Sequence, residues 1–490
     1  MAIDKKVYRN SVIYTACNFA LKAMNFLLLP LYTAFLSTED YGVVGLMERF
    51  ISVATVLSTF SLQAAVMRFY VDFRDDDEGL ARFCGTLICF SLLSTLAFDI
   101  LFFALRSVLV PMLFKGVSFV PTVTITLSGL AFTNVYGIYQ QVLRGMERAR
   151  ESALTSIVYL GLNVTFTILF VVGFGWGADG SLLGTALAGV CLSVCAIVRM
   201  VRMRSFRVCI DWSLVRELLR YSIPLMPHNL STQIASLVSG VLINHGSTLA
   251  AVGLYNVANK FGQACDTLQS SVSTAYSPWL YRMLSDKPEG YKGQLSDFTR
   301  TLLDVYLLVF VGISYFVREP ILLLLDRSYA ESWMLVPMIA LVYAVKSAYY
   351  FYIGVLFYYK QAANKIFVAT LTSSLLNVAL SFPLVAMWGS YGSVLADGLS
   401  MVVRVAIVVR MAGHFEDVGY RISTFVRSFL TVSVFVVVGL APCLVAPLEI
   451  MWWTMMWRFG LYGVLLFCVL RRHPGVTGLM KSRLGKHNGI

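Results

Sequence analysis

Long apolar runs dominate this sequence. A transmembrane helix needs roughly 20 consecutive apolar residues to cross the ~30 Å hydrocarbon core of a bilayer, and runs of this length occur fourteen times in the 490 residues. Only 13% of the residues are charged, whereas soluble domains contain roughly 25%. The chain is therefore predicted to be an all-α integral membrane protein. The predicted spans are 12–36, 42–68, 83–105, 118–143, 153–174, 180–201, 221–245, 251–281, 301–325, 333–358, 366–388, 392–411, 425–447 and 450–470.

Basic residues determine the predicted orientation. Basic residues toward the ends of five spans are counted with the loops that they adjoin; these are Arg68, Arg199, Arg318, Arg410 and Arg427. With the N-terminus inside, the cytoplasmic segments then hold 29 of the 39 Lys and Arg residues, and the outer segments hold only Arg106, Lys115, Arg318 and Arg327. The positive-inside rule therefore predicts that both termini are cytoplasmic and that the protein is a multi-pass protein of the bacterial inner membrane. The same rule accounts for the net charge of +12 without nucleic acid as a partner.

The sequence shows no catalytic or metal-binding pattern. The nine cysteines form no C-x-x-C pair and the five histidines are scattered, so neither a metal site nor a bound cofactor is predicted. Every predicted outer loop is short. A membrane-embedded polymerase or glycosyltransferase would need longer loops or an added domain to hold its catalytic groups, so the sequence favours a transporter over an enzyme.

The chain contains an internal repeat. YGVVGLMERF at 41–50 matches VGLYNVANKF at 252–261 with an offset of 211, which pairs Gly42 with Gly253 and Arg49 with Lys260. Three further matches follow in the same order at offsets up to 214. Each half holds six predicted spans, an even number, so both halves have the same orientation. They are predicted to be related by a pseudo-twofold axis along the membrane normal.

The repeat sets the predicted domain organisation. We expect an N-lobe at 1–205 with helices 1–6 and a C-lobe at 206–415 with helices 7–12. Two extra helices, 13 and 14, occupy 416–472, and a basic cytoplasmic tail occupies 473–490. Two lobes with a cavity between them form the arrangement that alternating access requires.

Six further basic residues lie within the predicted spans. Each costs about 2.5–3.5 kcal/mol at the centre of a membrane helix, so an intramembrane cation is a candidate functional residue. Arg49 and Lys260 occupy equivalent repeat positions, about 10 Å from the outer ends of their helices. With Lys22 they are predicted to form a cationic cluster that holds a multiply charged anion. The six residues are Lys22, Arg49, Lys260, Lys346, Arg404 and Arg458.

Acidic residues within the spans offer a second interpretation. The cations can pair with carboxylates, or they can extend toward the membrane surface. For Lys346, Arg404 and Arg458 both interpretations stay open. The acids within the spans are Glu48, Asp99, Asp266, Asp304 and Asp397. The candidate cavity or coupling residues are Glu48, Asp266, Lys346, Asp397 and Arg404.

Two segments carry a family resemblance. LYTAFLSTEDYGVVGLMERF at 31–50 and YSIPLMPHNLS at 221–231, with the fourteen spans and the 6+6 repeat, resemble the polysaccharide-export branch of the multidrug/oligosaccharidyl-lipid/polysaccharide (MOP) superfamily, in particular the O-antigen (Wzx-type) flippases. The resemblance covers essentially the whole chain. It implies a flippase that moves an undecaprenyl-pyrophosphate-linked oligosaccharide (an O-antigen, capsule or exopolysaccharide repeat unit) across the inner membrane by alternating access. It also implies that Lys22, Arg49 and Lys260 bind the substrate.

The resemblance further implies partners and an energy source. The partners are the lipid-linked oligosaccharide, membrane lipids, a polysaccharide polymerase and a chain-length regulator. The membrane potential or a gradient of H⁺ or Na⁺ is expected to drive the return step, and Asp266 or Glu48 is expected to carry a coupling proton. Three alternatives stay open: a cation-coupled multidrug exporter of the same fold, a membrane-embedded polysaccharide polymerase, and a non-transporting scaffold. The exporter predicts twelve spans and acidic cavity residues, and the polymerase predicts a long outer loop rich in Arg and His.

Overall fold

A computed structural model describes residues 13, 17, 19–24, 26–363, 365–445 and 447–472, and the regular structure in these residues is entirely helical. The predicted tail at 473–490 and part of the first predicted span lie outside the described residues. The chain divides into two compact units. One unit contains the residues up to Asn256 together with Val378–Ser393, and the other contains Val257–Asn377 and the residues from Val394 onward. The lobe boundaries expected from the repeat stay a prediction.

The helices of the first unit alternate long segments with short connecting ones. Turns of π-helix at Phe119–Val123 and Ile168–Gly173 adjoin two long helices, and a 3₁₀ turn occupies Ile223–Leu225. The α-helices are α1 (Leu29–Phe35), α2 (Thr38–Thr59), α3 (Leu62–Phe73), α4 (Asp77–Ala104), α5 (Arg106–Leu113), α6 (Thr124–Gly145), α7 (Ala149–Thr167), α8 (Gly177–Arg202), α9 (Trp212–Ser222) and α10 (Met226–Gly246).

The helices from Leu249 onward include two very long ones. Turns of 3₁₀-helix occupy Arg327–Met334 and Ala441–Leu444. The α-helices are α11 (Leu249–Asp286), α12 (Tyr291–Phe316), α13 (Arg318–Leu324), α14 (Leu335–Tyr358), α15 (Lys360–Ala363), α16 (Ile366–Phe415), α17 (Ile422–Leu440) and α18 (Trp452–Arg472). At Gly389 in α16 the backbone has φ 53° and ψ −130°, and this kink separates the predicted spans 366–388 and 392–411.

Ten of the helical segments among the described residues are long and apolar enough to cross a membrane. They are α2, α4, α6, α7, α8, α12, α14, α16, α17 and α18, some of them extended by their π or 3₁₀ turns. Helices α10 and α11 have sufficient length, but polar residues such as Gln233 on α10 and Asp266 on α11 make them less apolar. The chain is an all-α integral membrane protein. The total of fourteen spans stays a prediction, because α16 covers two predicted spans and the first span is only partly described.

The second predicted span, 42–68, is broken in the structure rather than continuous. Phe60 and Ser61 have left-handed backbone conformations, with φ of 51° and 59°, and they separate α2 from α3. This conformation is unfavourable for residues other than glycine, so the surrounding packing has to hold it. The Asn229 amide on α10 donates to the Ser61 hydroxyl at 3.4 Å. Sequence periodicity could not reveal the break, because neither glycine nor proline marks it.

Glycines bring α2 and α11 into close contact within the first unit. A Cβ atom added to Gly42 would overlap the carbonyl oxygen of Leu249, and one added to Gly253 would overlap the carbonyl oxygen of Thr38. The two contacts are equivalent under the 211-residue offset of the repeat, since Thr38 pairs with Leu249 as Gly42 pairs with Gly253. The helix crossing is therefore locally symmetric, and it depends on glycine at both positions.

An apolar core fixes the rotation of α2 about its axis. Met47 and Phe50 are buried, and the Phe50 ring lies 5.1 Å from the rings of both Phe102 and Phe114. Aromatic pairs at this spacing add to the stabilisation that comes from burial. Because Arg49 lies between these buried positions, the packing of α2 leaves it at the edge of the core.

A carboxylate accepts three hydrogen bonds at the C-terminal end of α16. Glu416 accepts hydrogen bonds from Lys287 Nζ at 2.7 Å, from the Tyr291 hydroxyl at 2.8 Å and from the Tyr359 hydroxyl at 2.9 Å. These donors favour the charged carboxylate, and the hydrogen bond from Lys287 contributes most to lowering the pKa of Glu416. Glu416 therefore ties the end of α16 to the segments that follow α11 and α14.

We predict that Glu416→Gln lowers the free energy of unfolding by about 1–3 kcal/mol at neutral pH, because hydrogen bonds to a charged group are lost. The folded-state pKa lies below the unfolded value of about 4.3. The stabilisation by the charged Glu416 carboxylate is therefore complete above the unfolded-state pKa, and it disappears as the pH falls through the folded-state pKa. In detergent, the wild type should have a higher melting temperature than Glu416→Gln at pH 7, and this difference should shrink in acid. Asp417→Asn, at a more exposed neighbour, is the control, and an equal loss in both variants would contradict the prediction.

Candidate functional site

Arg49 extends from α2 into a polar environment formed by α10 and α11. Its Nη2 atom donates to Asn256 Oδ1 at 2.5 Å, and Nη1 makes a longer contact of 3.5 Å with the carbonyl oxygen of Ser236. The guanidinium carbon lies 5.0 Å from the centre of the Tyr255 ring, a cation–π distance. Arg49 is half-buried and forms no ion pair with a carboxylate in the described part of the chain. We call these four residues the Arg49 site.

Two glycines make room for the Arg49 site. A Cβ atom on Gly240 would approach Arg49 Nη1 to 2.9 Å, and a Cβ atom on Gly45 would overlap the Asn256 amide. The Asn256 Nδ2 atom donates to the Tyr41 carbonyl oxygen at 3.3 Å, which leaves Oδ1 to accept from Arg49. The repeat pairs Asn256 with Gly45, so the amide that holds Arg49 has no counterpart at the equivalent position of the other copy.

The remaining predicted substrate-binding residues lie in other surroundings. Lys22 is helical and its side chain is exposed. Lys260 is half-buried on α11, in the part of that helix that belongs to the second unit. Glu48 precedes Arg49 on α2 and is exposed. A single cationic cluster of Lys22, Arg49 and Lys260 stays a prediction.

The structure brings two candidate coupling residues together within the second unit. Lys346 Nζ lies 2.6 Å from Asp266 Oδ1, and the Tyr350 hydroxyl donates to the same oxygen at 2.8 Å. Lys346 Nζ also lies 5.2 Å from the centre of the Tyr343 ring. The side chains of Lys346 and Asp266 are 18% and 34% exposed, so neither is fully enclosed by the protein. For Lys346 the structure supports the interpretation in which the cation pairs with an acid.

The two candidates on α16 each form hydrogen bonds with neutral polar side chains. Asp397 Oδ1 accepts a hydrogen bond from Asn377 Nδ2 at 2.6 Å. Arg404 Nε donates to the Ser373 hydroxyl at 2.6 Å, and Nη2 contacts the Ser374 hydroxyl at 3.4 Å. These hydroxyl groups accept from two of the three guanidinium nitrogens of Arg404 and do not neutralise its charge.

Arg458 forms a buried ion pair. Its side chain is fully buried, and Nη2 and Nη1 lie 2.5 Å and 3.1 Å from the two carboxylate oxygens of Glu319. Arg318 is also fully buried and lies 3.7 Å from the same carboxylate. The carboxylate compensates the buried charge of Arg458, and the ion pair links α13 to α18.

Sequence reasoning missed several residues of these sites. Asn256, Tyr255 and Tyr350 are uncharged, so the search for intramembrane charge passed over them. The one available signal was the repeat, in which an asparagine in one copy stands opposite a glycine in the other. Among the described residues, no group of three or more His, Cys, Asp and Glu is placed to hold a metal ion.

Comparison with known proteins identifies a matching family and solved structures with a similar fold. A family model described as "Polysaccharide biosynthesis protein" matches residues 7–284. The solved structure of the lipid II flippase MurJ in an inward closed conformation is similar, with a TM-score of 0.69 and 16% identity, covering 94% of this chain and 99% of MurJ. No curated protein sequence matches the chain significantly.

Two structures of MOP superfamily transporters share the fold at lower similarity. An inward-facing multidrug resistance MATE family transporter of the MOP superfamily has a TM-score of 0.58 and 13% identity, over 86% of this chain and 98% of the transporter. A MOP superfamily transporter from Pyrococcus furiosus Vc1, described by a reversed polarity of its binding pocket, has a TM-score of 0.51 and 15% identity, over 88% and 96%. Since the family model covers more than half of the sequence, this chain belongs to the polysaccharide biosynthesis protein family, and its helices have the fold of MOP superfamily transporters.

Proposed function

We propose that this protein is a flippase that moves an undecaprenyl-pyrophosphate-linked oligosaccharide across the bacterial inner membrane. The observation that carries the proposal is the environment of Arg49. Its guanidinium is half-buried within a membrane-spanning helix, is held by an amide and an aromatic ring, and has no carboxylate partner in the described part of the chain. A phosphate group is the anion that such a site accommodates.

The chemistry of arginine favours a phosphate ligand. A cation within a membrane segment is costly unless an anion or water compensates it. The planar guanidinium carries five N–H donors, and it binds phosphate oxygens through two parallel hydrogen bonds. Asn256 and Tyr255 hold the group in place without neutralising it. The remaining donors are therefore oriented before the substrate arrives, which reduces the entropy cost of binding.

The proposed transport cycle uses this positive charge. The pyrophosphate headgroup binds at Arg49, and Lys22 and Lys260 supply further positive charge, while the lipid tail stays in the bilayer. Alternating access then exposes the headgroup to the outer side, where it leaves. A proton or Na⁺ that binds near Asp266, Glu48 or Asp397 resets the protein. No covalent bond is made or broken, so the proposed activity is transport rather than catalysis.

The comparisons support a lipid-linked saccharide as the substrate class. The matching family is named for polysaccharide biosynthesis, and the MurJ structure is described as a lipid II flippase. The MATE fold match keeps multidrug export as a second candidate. This candidate predicts efflux of lipophilic cations, which the Arg49 site would repel.

Reconstituted protein tests the proposal directly. Proteoliposomes receive a fluorescent undecaprenyl-pyrophosphate oligosaccharide, and dithionite quenching reports its movement between leaflets. We expect transfer above the protein-free rate, no transfer of equally labelled phosphatidylglycerol, and no efflux of ethidium. A deletion strain that expresses the protein should regain its surface glycan. Folded protein that moves ethidium but not the pyrophosphate lipid would replace the proposal with drug export, and equal transfer of both lipids would indicate nonspecific scrambling.

A further inference from the structure

Arginines from three helical segments meet at one end of the second unit. Arg300 on α12, Arg421 and Arg427 at the start of α17, and Arg472 at the end of α18 line a cavity of about 410 Å³. Hydroxyl groups, including those of Ser423 and Thr431, line it as well. We call this cavity the basic pocket. It shares no residue with the Arg49 site, so it needs its own explanation.

The charge of the basic pocket is only partly neutralised. Arg472 Nη1 lies 3.3 Å from Asp304 Oδ1. The guanidinium groups of Arg300, Arg421 and Arg427 form no ion pair with the residues that the structure describes. Three guanidinium groups and several hydroxyls around one cavity provide the donors that a phosphate group requires.

Carboxylates lie next to the basic pocket but do not cancel its charge. Arg300 and Arg421 also line an adjoining cavity that contains Asp297 and Asp417. Asp417 already pairs with Lys292, whose Nζ atom lies 3.0 Å from Asp417 Oδ2. Across the two cavities, five basic side chains face three acidic ones, so the surface remains positive.

An apolar groove continues from the basic pocket along α17. It contains Val426, Leu430 and Val434, and it shares Ser423, Arg427 and Thr431 with the pocket. Val426, Leu430 and Val434 are spaced four residues apart, so they lie on one face of the helix. Their exposed fractions are 49%, 54% and 59%. Along α17, the arginine-containing basic pocket is thus followed by an exposed apolar face.

We propose that the basic pocket and this groove bind one anionic phospholipid of the bilayer. The phosphate lies among Arg300, Arg421 and Arg427, and an acyl chain lies along Val426, Leu430 and Val434. Basic pockets between membrane helices on the cytoplasmic side attract anionic headgroups. The predicted orientation places the basic pocket in that leaflet. Free phosphate would use only the polar end, whereas a phospholipid uses the pocket and the groove together.

Native mass spectrometry of delipidated protein in detergent measures this binding. The probes are phosphatidylglycerol, phosphatidylcholine and undecaprenyl phosphate, each added alone, and inorganic phosphate added as a competitor. We expect one tight phosphatidylglycerol site, at least tenfold weaker binding of phosphatidylcholine, and no displacement by millimolar phosphate. Replacing Arg300, Arg421 and Arg427 together with glutamine should weaken phosphatidylglycerol binding at least tenfold. Leu430→Gln should weaken it through the groove alone.

Matched controls separate the basic pocket from general surface charge. Arg150, Arg202 and Arg410 are exposed arginines outside the pocket, and their joint replacement with glutamine should leave phosphatidylglycerol binding unchanged. Equal losses in both triple variants would overturn the proposal, as would full displacement by inorganic phosphate. Tighter binding of undecaprenyl phosphate that depends on the basic pocket would reassign the pocket to the transported lipid. Flipping rates measured in parallel keep this outcome separate from failure of the proposed transport function.

Discussion

Arg49→Ala is expected to slow transfer of the pyrophosphate-linked oligosaccharide at least tenfold. The substitution removes charge-assisted hydrogen bonds worth about 1.5–3 kcal/mol, which corresponds to roughly ten- to a hundredfold in affinity. The measurement is the initial transfer rate in proteoliposomes that contain equal amounts of folded protein. Arg150→Ala removes an exposed arginine at the start of α7 and should keep the wild-type rate.

Two further variants separate the charge of Arg49 from its shape. Arg49→Lys keeps the positive charge but loses the planar pair of donors, so an intermediate rate is expected. Asn256→Asp keeps the size of the side chain and places a carboxylate at the atom that now lies 2.5 Å from Arg49 Nη2. The resulting ion pair should compete with phosphate and slow transfer about as much as Arg49→Ala. Wild-type rates in both Arg49→Ala and Asn256→Asp would remove Arg49 from the substrate site.

Gly42→Ala and Gly253→Ala are each expected to destabilise the protein by more than about 3 kcal/mol. Overpacking a well-packed site usually costs about 1–3 kcal/mol. Here the added methyl group would overlap a main-chain carbonyl oxygen, that of Leu249 or Thr38, and a carbonyl cannot rotate away as a side chain can. The helices α2 and α11 would have to separate. We expect a large fall in melting temperature in detergent and a low yield of folded protein.

Gly161→Ala is the matched control for the glycine crossing. A Cβ atom at Gly161, on α7, meets no atom within 4 Å, and alanine favours a helix by about 1 kcal/mol over glycine. This variant should be as stable as the wild type or slightly more stable. Equal melting temperatures for the three alanine variants would show that α2 and α11 do not need close contact.

The symmetry of the crossing makes a second comparison possible. Because Gly42 and Gly253 make equivalent contacts, the two single substitutions should cost similar amounts. Their double variant should cost less than the two combined, since one separation of the helices relieves both overlaps. If the stability lost in the double variant equalled the sum of the two single losses, the two glycines would not share one contact.

Local features of the sequence predicted a large part of this molecule. The apolar runs predicted an all-helical membrane protein, because a bilayer requires backbone hydrogen bonds to be satisfied within each segment. The repeat paired Gly42 with Gly253 and Arg49 with Lys260, and the first pair meets at a symmetric helix crossing. These predictions rest on spacing along one chain, which is directly visible in the sequence.

The partners of the charged residues could not be predicted in this way. Lys346 pairs with Asp266, which is 80 residues away, and Arg458 pairs with Glu319, which is 139 residues away. Residues this far apart meet only when particular helices pack against each other at particular rotations. The broken helix at Phe60 and Ser61 is a second case, because surrounding contacts hold a backbone conformation that neither residue favours by itself.

The sequence by itself therefore determined that this protein lies in a lipid bilayer, that it is helical and that it contains an internal repeat, since each follows from composition and spacing. Tertiary structure alone decided which intramembrane charges are neutralised. Arg458 lies against a glutamate, whereas Arg49 lies against an amide and a tyrosine ring. The two arginines look alike in the sequence, because the atoms that surround each one come from helices that are remote along the chain.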